Sequence, residues 1–164
     1  MTGPAAELYE TDFYAWTQAQ AVALRQLAKD HWNGPLDLEN LAEEVEDLGS
    51  ERLFGILSQL ERLMLHLLKL EHSRSAEPWR GWLNSVDSAR REIRRRLTPS
   101  IARRLPDELS DLCRAARRPT ARELADCGEV ESAQTLPQAS PYEMQQLLDE
   151  NWYPPNHHGL VDEL

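Results

Sequence analysis

The sequence contains few cysteines and no long apolar segment. Cysteine occurs only twice in 164 residues, at Cys113 and Cys127, and the two do not form a CxxC motif. This count excludes a small secreted scaffold that depends on disulfides. No apolar run approaches the roughly 20 residues that a membrane-spanning helix needs, and the first residues have neither the basic nor the apolar region of a signal peptide. We therefore expect a cytoplasmic protein without a membrane segment.

Motifs of the common catalytic and cofactor sites are also absent from the sequence. The chain has no glycine-rich phosphate loop, no G-x-S-x-G nucleophile motif and no H-E-x-x-H zinc motif. The sequence therefore predicts no cofactor, and it does not decide whether the protein is an enzyme.

Charged residues are abundant but unevenly distributed. The formal net charge is −10. Residues 1–79 carry a net charge of −8 and residues 80–122 one of +7, whereas residues 123–164 contain no lysine or arginine and carry −9. Such a division favours contacts between acidic and basic parts of the same chain, or the docking of a charged partner.

Apolar residues recur at intervals of three and four along most of the chain, which is the pattern of amphipathic helices. The pattern predicts an all-α bundle of about five to six helices. The predicted helices are residues 7–31, 38–48, 50–72, 79–97, a proline-interrupted region from 98 to 128, and 142–152, with an irregular connector before the last. Residues 1–153 should form a single domain, and residues 154–164 should form a flexible C-terminal tail.

Glycine and proline mark the predicted helix boundaries. Gly49 follows the last apolar residue of the predicted helix 38–48, where a left-handed glycine commonly ends a helix. We therefore expect Gly49 to end that helix, and if it packs against helix 50–72 the two form a hairpin. Helix 50–72 is apolar on so much of its circumference that it should be central. Pro106 and Pro119 should break or kink the helical region that contains them.

Four stretches of the sequence are similar to a known family. They are LYETDFYAWTQAQAVALR, DLENLAEEVEDLG, LERLMLHLLKLEH and SPYEMQQLLDENWYP, in this order. Together they resemble the Domain of Unknown Function 29 family of small bacterial proteins, from about Leu8 to Pro154. Trp82 and Arg90 lie in a segment similar to the tryptophan-centred segment of that family. The resemblance implies a helical fold and a bacterial cytoplasmic setting, and it implies no activity.

Residues 37–47 contain six carboxylates and no basic residue. Because successive residues of a helix lie about 100° apart, five apolar residues fall on one face: Leu38, Leu41, Ala42, Val45 and Leu48. Five acidic residues fall on the opposite face or on its flanks: Glu39, Glu43, Glu44, Glu46 and Asp47. The simplest interpretation is a face exposed to water, at a small cost from like-charge repulsion. A docking surface for a basic partner and a divalent-cation site are the alternatives.

A tight metal site is not predicted. Such a site needs carboxylate and histidine ligands that converge from different elements. His66 is an additional candidate ligand, but the predicted hairpin would place it too far from the acidic residues. His66 is more simply a partly buried histidine, and it is also a candidate general acid or base. The other four histidines do not have the sequence spacing that is typical of metal ligands; they are His31, His72, His157 and His158.

The arginine-rich segment 90–104 has two interpretations. Guanidinium groups bind phosphates, and they also bind carboxylates of the same chain. The net charge of −10 opposes the long-range attraction that nucleic-acid binding uses. We therefore expect several of Arg90, Arg94 and Arg103 to pair with acidic groups of the chain, and we expect no nucleic-acid partner.

These patterns predict an interaction protein that binds a protein partner or a second copy of itself. One alternative is a small hydrolase or nuclease that uses Glu43, Glu44, Asp47 and His66, and a second is nucleic-acid binding through residues 90–104. The candidate functional surface consists of eight residues, which are Glu39, Glu43, Glu44, Glu46, Asp47, His66, Trp82 and Arg90.

Overall fold

The computed structural model describes residues 3–30 and 32–160, and within them it contains seven α-helices and no strand. The helices are α1 Pro4–Thr11, α2 Phe13–Lys29, α3 Leu38–His72, α4 Trp79–Arg96, α5 Pro99–Asp126, α6 Val130–Gln134 and α7 Met144–Leu148. The predicted all-α fold is confirmed. His31 and residues 161–164, which end the first predicted helix and the predicted tail, lie outside the described residues.

The chain divides into two compact units. The first unit consists of Met1–Ile56 and Arg96–Arg104, and the second of Leu57–Arg95 and Leu105–Leu164. The single domain predicted for residues 1–153 and the flexibility predicted for the tail stay predictions. None of the helices in the described part of the chain has both the length and the apolar character that crossing a membrane requires.

The first predicted helix, residues 7–31, is in fact two helices, α1 and α2. Asp12 lies between them and has a non-helical backbone conformation. Its carboxylate accepts a hydrogen bond from the Ala15 amide at 3.0 Å, as an N-cap residue does. The same carboxylate also accepts bonds from the amide and the hydroxyl of Ser100, at 2.7 and 2.6 Å. Asp12 therefore ends one helix, starts the next and attaches both to the start of α5.

The predicted hairpin at Gly49 is wrong, because α3 is one continuous helix from Leu38 to His72. Gly49 is a helical residue, and among the described glycines only Gly128 and Gly159 have a positive φ. A Cβ atom at Gly49 would lie 2.2 Å from Thr17 Oγ1 on α2. Glycine is needed here because α2 packs closely against α3, not because the helix ends.

The fifth helical region is a continuous helix through both prolines, so the predicted breaks are absent from α5. Each proline removes one intrahelical hydrogen bond, and burial of the apolar face of the helix offsets this loss. That face includes Leu105 and Leu112. The predicted end at Gly128 is confirmed: this residue has a φ of 83°, and the bond from the Glu129 amide to the Leu124 carbonyl oxygen completes a Schellman motif.

The connector after α5 contains the short helix α6, which the sequence pattern misses. The last helix, α7, is shorter than the predicted helix 142–152. Its capping box consists of Glu143, the N-cap residue, and Gln146, so the helix begins at Met144 rather than at Tyr142. Ser140 and Tyr142 bond to each other within a turn before the helix. Helix α7 ends early because the carbonyl oxygens of Gln146 and Leu147 accept hydrogen bonds from the Arg90 guanidinium.

The core of the second unit surrounds the C-terminal part of α3. This part supplies six large side chains that are fully buried, which are Leu60, Leu63, Met64, Leu67, Leu68 and Leu70. The expectation that this segment is central is therefore confirmed for the second unit. The burial of so many large side chains is the dominant stabilising contribution there.

Candidate functional site

The acidic residues of α3 lie in the first unit. Glu39, Glu43, Glu44 and Asp47 are exposed, and none of them has an ion-pair or hydrogen-bond partner among the described residues. Glu46 is different, because it is half-buried and pairs with Arg25 of α2. Four of the five predicted carboxylates are thus exposed to solvent, whereas Glu46 links α3 to α2.

The apolar face predicted beside these carboxylates is only partly buried. Leu38 and Ala42 are buried, at 4% and 0% exposed, whereas Leu41 is 39% and Leu48 is 50% exposed. The apolar face that the sequence predicts therefore packs only in part. The buried side of α3 includes Gly49, where α2 approaches closely, and it leaves the two leucines at the surface.

His66 lies in the second unit, whereas Glu43, Glu44 and Asp47 belong to the first. Its ring is half-buried, and its Nδ1 atom lies 2.8 Å from the Arg62 carbonyl oxygen. Burial lowers the pKa of His66, and the nearby charges of Lys69 and Arg62 lower it further, although the bond to the carbonyl acts in the opposite direction. The imidazole is therefore neutral near pH 7.

Trp82 lies at a pocket of the second unit with a volume of about 280 Å³. The ammonium group of the buried Lys69 lies over its ring, 5.6 Å from the ring centroid, and this ammonium also pairs with Glu123. The exposed thiol of Cys127 lines the same pocket. Trp82 thus helps to shield a buried cation.

Arg90 is buried, at 3% exposed, and it acts within the fold. Its Nε atom donates to the Leu147 carbonyl oxygen at 2.9 Å, and its Nη2 atom donates to the Trp152 carbonyl oxygen at 2.8 Å. The guanidinium lies over the Tyr153 ring, 5.0 Å from its centroid. Burial lowers the pKa of Arg90, whereas Tyr153 and Asp87 raise it. The side chain holds the segment after α7 against α4.

The other arginines of segment 90–104 divide between internal contacts and solvent. Arg94 pairs with Glu150, as predicted, and Arg95 lies 3.6 Å from Glu92. Arg90 bonds to carbonyl oxygens in place of the predicted carboxylate. Arg103 is exposed and has no partner in the described part of the chain.

A cluster that the sequence pattern does not predict lies where α3 ends. Glu71 Oε1 is 3.1 Å from His157 Nε2, and Glu71 Oε2 is 3.8 Å from His72 Nε2. The two imidazole rings are 4.5 Å apart between centroids and nearly perpendicular. The Tyr142 hydroxyl donates to Glu71 Oε2. Burial lowers the pKa of His72, although the charge of Glu71 acts to raise it.

Hydrogen bonds to the end of α3 hold His157 in this cluster. The Asn156 side-chain amide donates to the carbonyl oxygens of Leu70 and Ser73, at 2.7 and 2.9 Å. The His157 amide donates to the Glu71 carbonyl oxygen at 2.9 Å. These bonds satisfy carbonyl groups that a helix end otherwise leaves free. No spacing in the sequence predicts the cluster, because α3 and the C-terminal segment meet only in the folded chain.

Comparisons with known proteins agree with this architecture. The family described as Domain of unknown function DUF29 matches residues 8–153. An alpha-helical protein of unknown function from Rhodospirillum rubrum ATCC 11170, known from a crystal structure, is 27% identical in sequence, with a TM-score of 0.79. The similarity covers 88% of this chain and 90% of that one. None of the curated proteins matches the chain. The chain therefore belongs to the family Domain of unknown function DUF29.

Proposed function

We propose that the protein is an interaction module whose α3 helix binds a basic amphipathic helix of another protein. The observation that carries the proposal is the distribution of exposed apolar side chains. Among the described residues, ten large apolar side chains are exposed, and eight of them lie between Tyr9 and Phe54. Exposed apolar residues that concentrate in one part of a protein are typical of a binding surface.

The exposed side of α3 has the pattern that a partner helix would match. Leu41, Glu44, Leu48 and Glu51 are all exposed and follow one another at spacings of three, four and three residues. These spacings place them in one stripe along the helix. We name this set of four residues the α3 stripe. A helix that carries apolar residues flanked by lysine or arginine would bury the leucines and pair with the carboxylates.

Charge favours a different protein over a second copy as the occupant. Two copies that met through the α3 stripe in the same orientation would bring Glu44 and Glu51 near their own equivalents, and like charges at an interface oppose association. A basic partner would instead neutralise the negative charge of Glu44 and Glu51. We therefore propose a heterologous partner, and self-association becomes the competing outcome of the test.

We also propose that this binding occurs in the cytoplasm of a bacterium. Cys127 is a free and exposed thiol, and Cys113 is free and buried. Cytoplasmic reductants keep such thiols reduced, whereas an oxidising compartment favours their oxidation. A reporter fusion assayed in cell fractions would test this location.

The binding proposal is tested with two synthetic peptides. One carries leucines at three- and four-residue spacing flanked by lysines, and the other has glutamate in place of every lysine. Fluorescence anisotropy should show saturable binding of the basic peptide only. Leu41→Ser with Leu48→Ser should weaken binding at least about tenfold, because burial of each leucine contributes about 1.5–3 kcal/mol and a factor of ten corresponds to about 1.4 kcal/mol.

Matched variants distinguish specific binding at the α3 stripe from nonspecific hydrophobic binding of the peptides. Val130→Ser removes another exposed apolar side chain, at 51% exposure in the second unit, and should leave binding unchanged. Glu44→Lys with Glu51→Lys should reverse the preference toward the acidic peptide. Equal binding of both peptides, or equal weakening by the Val130 variant, would contradict the proposal.

A further inference from the structure

We propose that Glu71, His72 and His157 form a binding site for one divalent transition-metal ion of the Zn²⁺ class. Each residue offers one ligand atom, and these three atoms all lie within 4.8 Å of one another. Two imidazoles and one carboxylate are a ligand set that proteins use for zinc and for other first-row metals. This site is separate from the α3 stripe and does not depend on the proposed partner.

The distances within the cluster are close to those of a bound ion. Ligands that lie about 2.0–2.1 Å from a tetrahedral zinc ion are roughly 3.4 Å from one another. One Glu71 oxygen, Oε1, lies 3.1 Å from His157 Nε2, and the other, Oε2, lies 3.8 Å from His72 Nε2. The three ligand atoms lie within 4.8 Å of one another, so a bound ion would draw them closer together by about 1 Å.

The surroundings of the cluster hold its ligands in place. The Tyr142 hydroxyl donates to Glu71 Oε2 and so orients the carboxylate. Such partners of metal ligands fix the ligand orientation and raise metal affinity. His157 is fixed through its own amide and through Asn156, whose side chain bonds to two carbonyl oxygens at the end of α3. The ligands are thus positioned before any ion binds.

A pocket borders the cluster. His72 and His157 line a pocket of about 460 Å³, and Ser132 lines the same pocket. The Ser132 side chain is buried, at 4% exposed, yet its hydroxyl has no hydrogen-bond partner among the described residues. Buried hydroxyl groups are nearly always bonded. The pocket gives an ion held by the two imidazoles room for a water molecule as a further ligand.

The proposal departs from the sequence-based expectation of no tight metal site. That expectation considered the carboxylates of the acidic helix together with His66, and it set aside His72 and His157 because they lack the spacing of metal ligands. The cluster joins the end of α3 to a C-terminal segment that the sequence pattern treats as a tail, so its ligands meet only in the folded chain.

Isothermal titration of the metal-free, full-length protein with Zn²⁺ tests the proposal, with a competing chelator to extend the range. The expected result is one Zn²⁺ per chain and no comparable binding of Mg²⁺ or Ca²⁺. His157→Gln should weaken binding by more than about 100-fold. Tyr142→Phe should weaken it about 10–100-fold, because it removes only the hydrogen bond to a ligand.

His158→Gln is the matched control, because His158 is adjacent and its ring bonds to the His72 carbonyl oxygen rather than to Glu71. It should leave the affinity within about threefold of the original. The His157 side chain is 53% exposed, so the His157→Gln variant should fold, and circular dichroism and a melting curve would verify this. Absence of stoichiometric binding, an unchanged affinity in His157→Gln, or equal losses in the two histidine variants would overturn the proposal.

Discussion

Thr17 of α2 and Gly49 of α3 are in direct contact, and the contact leaves no room for a side chain at residue 49. A Cβ atom there would lie 2.2 Å from Thr17 Oγ1 and 3.2 Å from Thr17 Cβ. Thr17 is fully buried, and its hydroxyl donates to the Tyr14 carbonyl oxygen at 2.8 Å. Because a β-branched side chain has little rotational freedom, the threonine is not free to move away. Gly49 thus lies on the buried side of α3, whereas Leu41 and Leu48 lie on its exposed side.

Gly49→Ala should lower the free energy of unfolding by about 1–2 kcal/mol. Alanine is the better helix former by about 1 kcal/mol, but the clash with Thr17 costs more than this gain because overpacking typically costs about 1–3 kcal/mol. Gly81→Ala in α4 is the control, since nothing lies within 4 Å of its added Cβ. That variant should be stabilised by about 0.5–1 kcal/mol.

Urea unfolding measures both glycine variants. Thr17→Ala combined with Gly49→Ala should recover part of the loss, because it removes the closest clashing atom. A Gly49→Ala protein that is as stable as the original would show that α2 does not pack closely against this residue.

Asp12→Asn should destabilise the protein by about 1–3 kcal/mol at pH 7, because the carboxylate accepts several hydrogen bonds in the first unit. Burial alone would raise the pKa of Asp12, but hydrogen bonds from Ser100 and Ala15 lower it below its ordinary value of 3.8. A carboxyl whose pKa is lowered on folding stabilises the fold above its unfolded pKa, and this stabilisation is lost as the pH falls through the folded pKa.

The difference in stability between the original protein and the Asp12 variant should therefore be constant from pH 7 to about pH 4 and should shrink below it. Unfolding curves at several pH values provide the measurement. A difference that grew on acidification would mean that the pKa of Asp12 is raised.

Arg90→Lys should destabilise the protein by about 3 kcal/mol or more, although the charge is retained. A lysine has one ammonium group and does not reproduce the fork that donates to carbonyl oxygens of Leu147, Gln146 and Trp152. Each buried acceptor left without a donor costs about 1–3 kcal/mol. Arg91→Lys is the control at an exposed position and should change stability by no more than about 0.5 kcal/mol. Similar melting temperatures for the two variants would refute the role assigned to Arg90.

Glu43→Gln with Asp47→Asn should leave stability unchanged or raise it slightly, because both carboxylates are exposed and have no partner in the described part of the chain. The change removes like-charge repulsion of a few tenths of a kcal/mol per pair. Since neither residue belongs to the α3 stripe, binding of the basic peptide should be weakened less than by neutralising Glu44 and Glu51. If binding were weakened more in the Glu43 and Asp47 variant, the partner would bind to the other side of α3.

Local patterns in the sequence predict most of the helices, whereas the site depends on contacts between distant segments. Apolar periodicity identifies the helical class and the buried C-terminal part of α3. It fails at Gly49, where a packing glycine has the same local appearance as a glycine that ends a helix, and at Asp12, whose second role needs Ser100 from another helix. Local sequence patterns do not predict the Glu71–His157 contact. Asn156 holds His157 in place through hydrogen bonds to residues that are distant in the sequence.

Photo-cross-linking from the α3 stripe in the native cells tests most directly whether this stripe binds a basic helix of another protein. A photoreactive amino acid replaces Leu48 in one strain and Val130 in another, and the cross-linked peptides are identified by mass spectrometry. Residue 48, and not residue 130, should form a cross-link to a basic amphipathic helix of a different protein. A cross-link from residue 48 to a second copy of this chain, or no cross-link specific to residue 48, would contradict it.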